Sequence, residues 1–128
     1  MRLVTSLLLL ACALPLRAEE QVLNIYNWAD YVAPQALKRF QSETGIRVKY
    51  DTFDSTEVLD SKLLTGGSGY DVVFPASSGL ARAIQAKAVQ PVGDLSNAAN
   101  LDPELLAKLA SVDPGNRYGV PYTWGTVG

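Results

Sequence analysis

The sequence predicts an α/β fold built around a parallel sheet. Between Val22 and Ala88, short apolar segments typical of strands alternate with segments whose apolar residues recur at helical spacing. The alternation occurs three times with short connections, and proline and glycine residues mark the boundaries of the helical segments. A repeated strand–helix pattern of this kind indicates a parallel sheet with helices on its faces.

The first predicted strand is Val22–Trp28, which is apolar at most positions, as expected of a strand covered on both faces. A loop over Asp30–Ala33 follows the strand. Pro34 begins the first predicted helix, because a proline in the first turn lacks only an N–H group that has no helical partner there. Gly45 ends the helix as a left-handed cap. The helical spacing rests on Ala33, Ala36, Leu37 and Phe40.

The second strand–helix unit begins at Ile46–Tyr50, where apolar and charged residues alternate as in a strand with one wetter face. The next helix is predicted to start at Asp54, an N-cap acid with Glu57 three residues later, which resembles a capping box. Gly66-Gly67 ends this helix. Its apolar stripe consists of Val58, Leu59 and Leu63.

The third unit comprises a strand over Tyr70–Pro75, with a buried run at Val72–Phe74, and a helix from Leu80 to about Ala88. Ser77 and Ser78 precede this helix, so one of them is expected to cap it. A helix N-terminus also presents free N–H groups to a ligand, although those donors suit anions better than an ammonium group.

The pattern loosens after Pro91. Asp102 and Pro103 are typical of an N-cap and a first helical residue, and they predict one more helix. A turn is expected at Asp113–Asn116, followed by an extended segment at Arg117–Tyr122. We interpret Tyr122 and Trp124, in and just beyond that segment, as packing residues at a domain edge rather than ligand contacts, although a chain crossing next to a cleft could serve both purposes.

The first 18 residues are predicted to be a cleaved secretory signal peptide. Arg2 supplies the positive charge, Leu3–Leu16 is mostly apolar, and a small residue, Ala18, precedes the cleavage point. The apolar stretch is shorter than the roughly 20 residues that span a membrane. The alternative is a lipoprotein signal with Cys12 as the lipid-bearing residue.

The composition excludes several classes of protein. Cys12 is the only cysteine and there is no histidine, so the mature chain would have no disulfide, no thiolate nucleophile and no imidazole base or ligand. Removing Arg2 and Arg17 with the signal peptide leaves 9 basic residues against 13 acidic ones, a net charge of −4. An acidic exported chain does not fit nucleic-acid binding, which requires a basic surface.

Two loops are candidate binding elements. Ligands of open α/β sheets bind outside the carboxyl ends of the strands, and this rule selects the loops after strands one and three, Trp28–Tyr31 and Ala76–Gly79. Asp30, between two aromatic residues, could hold an ammonium group by a charge-assisted hydrogen bond and cation–π contacts. The alternative is that both rings belong to the core and that Asp30 only serves the helix N-terminus.

The same residues resemble the periplasmic polyamine-binding proteins, the putrescine and spermidine receptors of ABC importers. The resemblance covers nearly all of the mature chain, and several blocks occur in the same order. The blocks are Ile25–Pro34, Glu43–Ile46, Phe53–Ser55, Glu57–Leu59, Tyr70–Val73, Leu101–Leu106 and Val120–Trp124.

The resemblance implies a two-lobe periplasmic-binding-protein fold of type II. Residues 19–128 would then form most of the first α/β lobe, the second lobe would be absent, and the chain would be an N-terminal fragment. It also implies a non-enzymatic protein without a cofactor, which captures polyamines in the periplasm as a monomer and delivers them to a membrane permease. The alternatives are an amine-sensing protein of the same fold and, from another class, an exported enzyme that uses its carboxylates.

The resemblance also implies roles for seven residues. Trp28 and Tyr31 would form the walls of an aromatic box around the methylene chain, and Asp30 would bind one ammonium group. Residue 29 and the positions after Pro75 would line the same end of the site; in this chain they are Ala29, Ala76, Ser77 and Ser78. Putrescine receptors of this family carry serine where this chain has the two alanines, so two hydroxyl contacts are replaced.

We predict that these 128 residues alone bind polyamine weakly or not at all. A micromolar site requires about 8 kcal/mol, and the groups described above could supply about half of that before any ordering cost. Calorimetry with putrescine and spermidine on the isolated chain checks this, and a micromolar dissociation constant would contradict it.

Overall fold

The structure, a computed structural model, describes residues 20–125 and contains a three-stranded parallel sheet. The strands are β1 (Val22–Trp28), β2 (Arg47–Phe53) and β3 (Val72–Val73). β1 lies in the centre, in the order β2-β1-β3. The predicted fold class, an α/β chain with a parallel sheet, is therefore confirmed. The predicted signal peptide and Cys12 lie outside the described residues.

The strand boundaries are determined by pairing with neighbouring strands more than by the local pattern of apolar residues. β1 has its predicted bounds, but β2 continues three residues past the predicted end at Tyr50, because Asp51–Phe53 pair in register with the last residues of β1. β3 is shorter than predicted, since only Val72 and Val73 pair with β1. The predicted burial of Val72 is wrong: 39% of this residue is exposed at an edge that no other described strand covers.

The first two helices begin and end through local backbone chemistry. α1 (Pro34–Thr44) has its predicted bounds, and Gly45 ends it with a φ of 73° and an N–H bond to the Gln41 carbonyl. α2 spans Thr56–Leu64. The predicted cap at Asp54 is wrong, because Ser55 is the extended residue and its hydroxyl accepts the Val58 N–H at 3.3 Å.

The third helix, α3 (Ser77–Gln85), begins and ends three residues before its predicted bounds. It begins earlier because Ala76 takes the extended N-cap conformation, with φ −63° and ψ 160°. It ends earlier because Lys87 adopts a left-handed φ of 55°, which a helix cannot continue through. A short 3₁₀ helix (Ala98–Asn100) follows.

The last helix and the segment after it are organised by two aspartates. α4 (Pro103–Leu109) begins as predicted, with the Asp102 carboxylate accepting the N–H groups of the first turn. Asp113 is 1% exposed and its carboxylate accepts the backbone N–H groups of Arg117, Tyr118 and Gly119. The predicted turn is present, whereas Arg117–Tyr122 joins no strand.

The core lies between one face of the sheet and helices α2 and α3. Its buried members are Tyr26, Phe53, Leu59, Leu63 and Ala83. β1 is less covered than predicted, because only Tyr26 and Asn27 of its seven residues are buried. Among residues 20–125, no helix is both long and apolar enough to cross a membrane.

Asp71, the residue before β3, is hydrogen-bonded to β1, and its ionisation makes the stability of the fold depend on pH. Its carboxylate accepts the backbone N–H of Asn24 at 2.8 Å and the side-chain amide of Asn24 at 3.0 Å. These hydrogen bonds lower the pKa of Asp71 below its ordinary value of 3.8. The charged form is therefore favoured in the folded state, and its contribution to stability is present above the ordinary value and lost as the pH falls through the lowered one.

We expect Asp71→Asn to lower the free energy of unfolding at neutral pH, and the difference from the wild type to shrink on acidification. Urea unfolding measured from about pH 6 down to about pH 2.5 checks this. Asp94→Asn, an equal charge change at an exposed position, is the matched control. A difference that stays constant across the range would contradict the assignment.

Candidate functional site

The carboxyl ends of the three strands meet at one edge of the sheet. The Trp28 indole Nε1 donates to the Phe74 carbonyl at 2.9 Å and joins the loops after β1 and β3. The Ala29 N–H donates to the Phe53 carbonyl at 3.3 Å and joins the first loop to the end of β2. The two loops that the sequence analysis selected are therefore adjacent.

The loop after β1 presents two aromatic rings and one carboxylate. The rings of Trp28 and Tyr31 lie 6.3 Å apart at an angle of 40°. The Trp28 ring also packs on the ring of the core residue Phe53, with 4.5 Å between the centroids. Tyr31 is half exposed. Asp30 lies between them in the chain and is exposed. An exposed carboxylate and aromatic rings in one short loop are groups suited to a small organic cation.

Asp30 has an unusual backbone conformation. Its φ of 60° lies in the left-handed region, where aspartate and asparagine are tolerated better than most residues with a side chain. Residues held in this region concentrate at functional sites when their surroundings fix them. Asp30 is recognisable as a candidate from its neighbours in the sequence, but they do not indicate this conformation.

Asn27 fixes the start of this loop from inside the fold. It is 1% exposed, and its Oδ1 accepts the Trp28 N–H at 2.7 Å. Asn27 is not among the candidate residues predicted from the sequence. The available signal was a polar residue in the middle of an otherwise apolar strand, since buried polar side chains are normally there to make a hydrogen bond.

The Tyr50 hydroxyl is buried beside Asn27. Neither this hydroxyl nor the Asn27 Nδ2 makes a well-formed hydrogen bond with the described residues. Burial raises the pKa of Tyr50 above its ordinary value, and the neighbouring groups Tyr122 and Asp30 raise it further. Tyr50 therefore stays protonated at neutral pH and brings no charge to the site.

The loop after β3 is arranged differently from the prediction. Ala76 is the N-cap of α3 and has no capping side chain, so the expectation that Ser77 or Ser78 caps the helix is wrong. Both serines are the first residues of the helix and are exposed. Among the hydrogen bonds of the described residues, none joins either serine to Trp28–Tyr31; the connection runs through Phe74.

Tyr122 connects the segment after α4 to the same site. Its hydroxyl donates to the Tyr31 carbonyl at 2.6 Å, and its ring packs edge-on against Phe74 at 4.9 Å. Trp124 is 72% exposed, with the Lys108 ammonium 4.6 Å from its ring. Tyr122 therefore packs, as interpreted from the sequence, and the residues that it contacts, Tyr31 and Phe74, belong to the two loops of the candidate site.

The described residues contain no group of three or more acidic, histidine or cysteine side chains that could hold a metal ion. Two other acids have structural partners: Asp51 accepts the Tyr70 hydroxyl at 2.9 Å, and Asp60 pairs with Arg82. Among the exposed acids at the carboxyl edge of the sheet, Asp30 is the one that follows the central strand, β1.

The chain is similar to bacterial solute-binding proteins. Residues 35–128 match a family described as bacterial extracellular solute-binding protein. The chain is 50% identical over 113 residues to the putrescine-binding periplasmic protein SpuD of Pseudomonas aeruginosa, covering 87% of this chain and 31% of the relative. It is 46% identical over 128 residues to the putrescine-binding periplasmic protein PotF of Escherichia coli, covering 98% of this chain and 35% of the relative.

A solved structure supports the same fold. The spermidine/putrescine ABC transporter substrate-binding protein PotD of Streptococcus pneumoniae superposes with a TM-score of 0.74 at 39% identity. The alignment covers 83% of this chain and 33% of that structure. The chain therefore spans about a third of the length of the relatives that it matches.

The uncapped start of α3 gives a prediction about Ala76. We expect Ala76→Ser to raise the free energy of unfolding by about 1 kcal/mol, because a serine hydroxyl at the N-cap accepts a free N–H group of the first turn. Urea unfolding measures the change. Ala86→Ser, at the C-cap of the same helix, is the matched control, since a hydroxyl there meets no free N–H group. Equal effects of the two substitutions would contradict the capping account.

Proposed function

The chain belongs to the family of bacterial extracellular solute-binding proteins, and from this premise we propose that it captures a polyamine in the periplasm for an ABC importer. The ligands proposed are putrescine and spermidine, which the names of its relatives contain. The proposal includes an N-terminal signal peptide over residues 1–18, action as a monomer, and delivery of the bound amine to a membrane permease.

The observation that carries the proposal is the exposed Asp30, which lies between Trp28 and Tyr31 in the chain at the carboxyl edge of the sheet, where the two rings are 6.3 Å apart. A polyamine is a chain of methylene groups with ammonium groups at its ends. The carboxylate takes one ammonium by a charge-assisted hydrogen bond, worth roughly 1.5–3 kcal/mol. A desolvated ammonium over an aromatic face adds up to about 2 kcal/mol, and the rings also cover the apolar methylene groups.

The remaining four candidate residues have smaller roles in this proposal. Ala29 and Ala76 line the ammonium end and offer only backbone carbonyls. Ser77 and Ser78 lie at the N-terminus of α3, where their exposed hydroxyl oxygens can accept hydrogen bonds from the ligand. The free N–H groups of that helix end favour anions, so this side of the site contributes less to ammonium binding than Asp30 does.

The test is Asp30→Asn in the protein as its gene encodes it, with putrescine and spermidine titrated by calorimetry. Asparagine keeps the size of the side chain and tolerates the left-handed backbone, so the substitution removes the charge without straining the turn. We expect the dissociation constant to rise about 10- to 100-fold, the equivalent of one charge-assisted hydrogen bond.

Asp54→Asn is the matched control, because this exposed acid follows β2 at the same sheet edge and its loss changes the net charge equally. We expect it to leave the affinity nearly unchanged, since charges separated by water are screened. Equal losses in the two variants would indicate a general field effect and would contradict a direct contact with Asp30.

A further inference from the structure

Four aromatic residues form a closed circuit of contacts around the candidate site. The Trp28 indole donates to the Phe74 carbonyl at 2.9 Å, and the Phe74 ring meets the Tyr122 ring at 4.9 Å. The Tyr122 hydroxyl donates to the Tyr31 carbonyl at 2.6 Å, and the Tyr31 ring returns to the Trp28 ring at 6.3 Å. The circuit joins three segments that are distant in the chain.

Asp30 lies in the chain between two members of this circuit, Trp28 and Tyr31, and contacts on both sides hold the turn. On its N-terminal side, Trp28 is fixed by the buried Asn27 and by Phe74. On its C-terminal side, the hydrogen bond from Tyr122 fixes the carbonyl of the next residue, Tyr31. The left-handed φ of 60° at Asp30 is sparsely populated in a free chain, so it persists only where flanking contacts of this kind determine it.

The bond from Tyr122 matters because the turn itself is exposed. Asp30 and Tyr31 make little contact with the core, and an unrestrained turn would lose conformational freedom when a ligand ordered it. That loss is subtracted from the binding free energy, whereas a turn ordered in advance avoids it. A hydroxyl that reaches the turn from 91 residues away supplies such order.

We propose that Tyr122 is a positioning residue of the amine site: its hydrogen bond to the Tyr31 carbonyl holds Asp30 and the Trp28–Tyr31 ring pair in their binding geometry. The inference rests on the proposed function, because it assigns Tyr122 a role in amine binding. It goes beyond that function in placing a determinant of affinity outside the two loops that contact the ligand.

The test compares Tyr122→Phe with the wild type in the protein as its gene encodes it, by calorimetry with putrescine. The substitution keeps the ring and its packing on Phe74 and removes only the hydroxyl. We expect the dissociation constant to rise about 3- to 10-fold, the range of one neutral hydrogen bond. Tyr70→Phe is the matched control, since it removes one tyrosine hydrogen bond, to Asp51, on another part of the sheet; its affinity should equal that of the wild type.

Two further readouts separate positioning from a general loss of stability. In an Asp30→Asn background, Tyr122→Phe should weaken binding by a smaller factor than it does in the wild type, because only the ring pair remains to be positioned. Amide hydrogen exchange of residues 29–32 in the ligand-free protein should be faster in Tyr122→Phe and unchanged in Tyr70→Phe. Binding is measured well below the thermal midpoints of all variants.

The outcomes are distinguishable. If the wild type binds neither putrescine nor spermidine, the proposed function is wrong and the assignment of Tyr122 to an amine site falls with it. If the wild type binds and Tyr122→Phe binds equally well, only the positioning role is wrong. Additive losses in the double variant, or unchanged exchange at residues 29–32, would also overturn the positioning role.

Discussion

The parallel pairing of β1 with a neighbour on each side is the constraint on which the rest of the structure depends. Because all three strands run in the same direction, the loops that follow them leave the sheet at one edge. The register places Trp28 opposite Phe53, so the indole rests on a core ring and reaches the Phe74 carbonyl. A slip of one residue would turn Trp28 to the other face and separate the loops.

Much of the fold could be predicted because the determining chemistry is local. Pro34 and Gly45 set the ends of α1 by their own backbone preferences, and Asp102 caps α4 through neighbouring N–H groups. The predictions that are wrong concern elements whose bounds are not set by the preferences of neighbouring residues. β3 has only the length that pairing with β1 gives it, and the start of α3 depends on the backbone of Ala76, a residue with no capping preference.

The candidate site likewise contains residues that the sequence indicates and residues that it does not. Trp28, Asp30 and Tyr31 are neighbours in the chain, so the sequence alone indicates their joint chemistry. Tyr122 is 91 residues from its hydrogen-bond partner, and no sequence pattern links the two. Asn27 is recognisable in the sequence as a polar residue in a strand, but the bond that it makes depends on which side chains bury it.

The left-handed turn at Asp30 also restricts how this site can vary. Of the two acidic residues, aspartate is enriched at positive φ, whereas glutamate is not. Replacement of Asp30 by glutamate, which would extend the carboxylate by one methylene group toward a shorter ligand, is therefore disfavoured. In the proposed amine site, one end of the ligand would be anchored at a fixed point, and discrimination by chain length would come from groups at the opposite end.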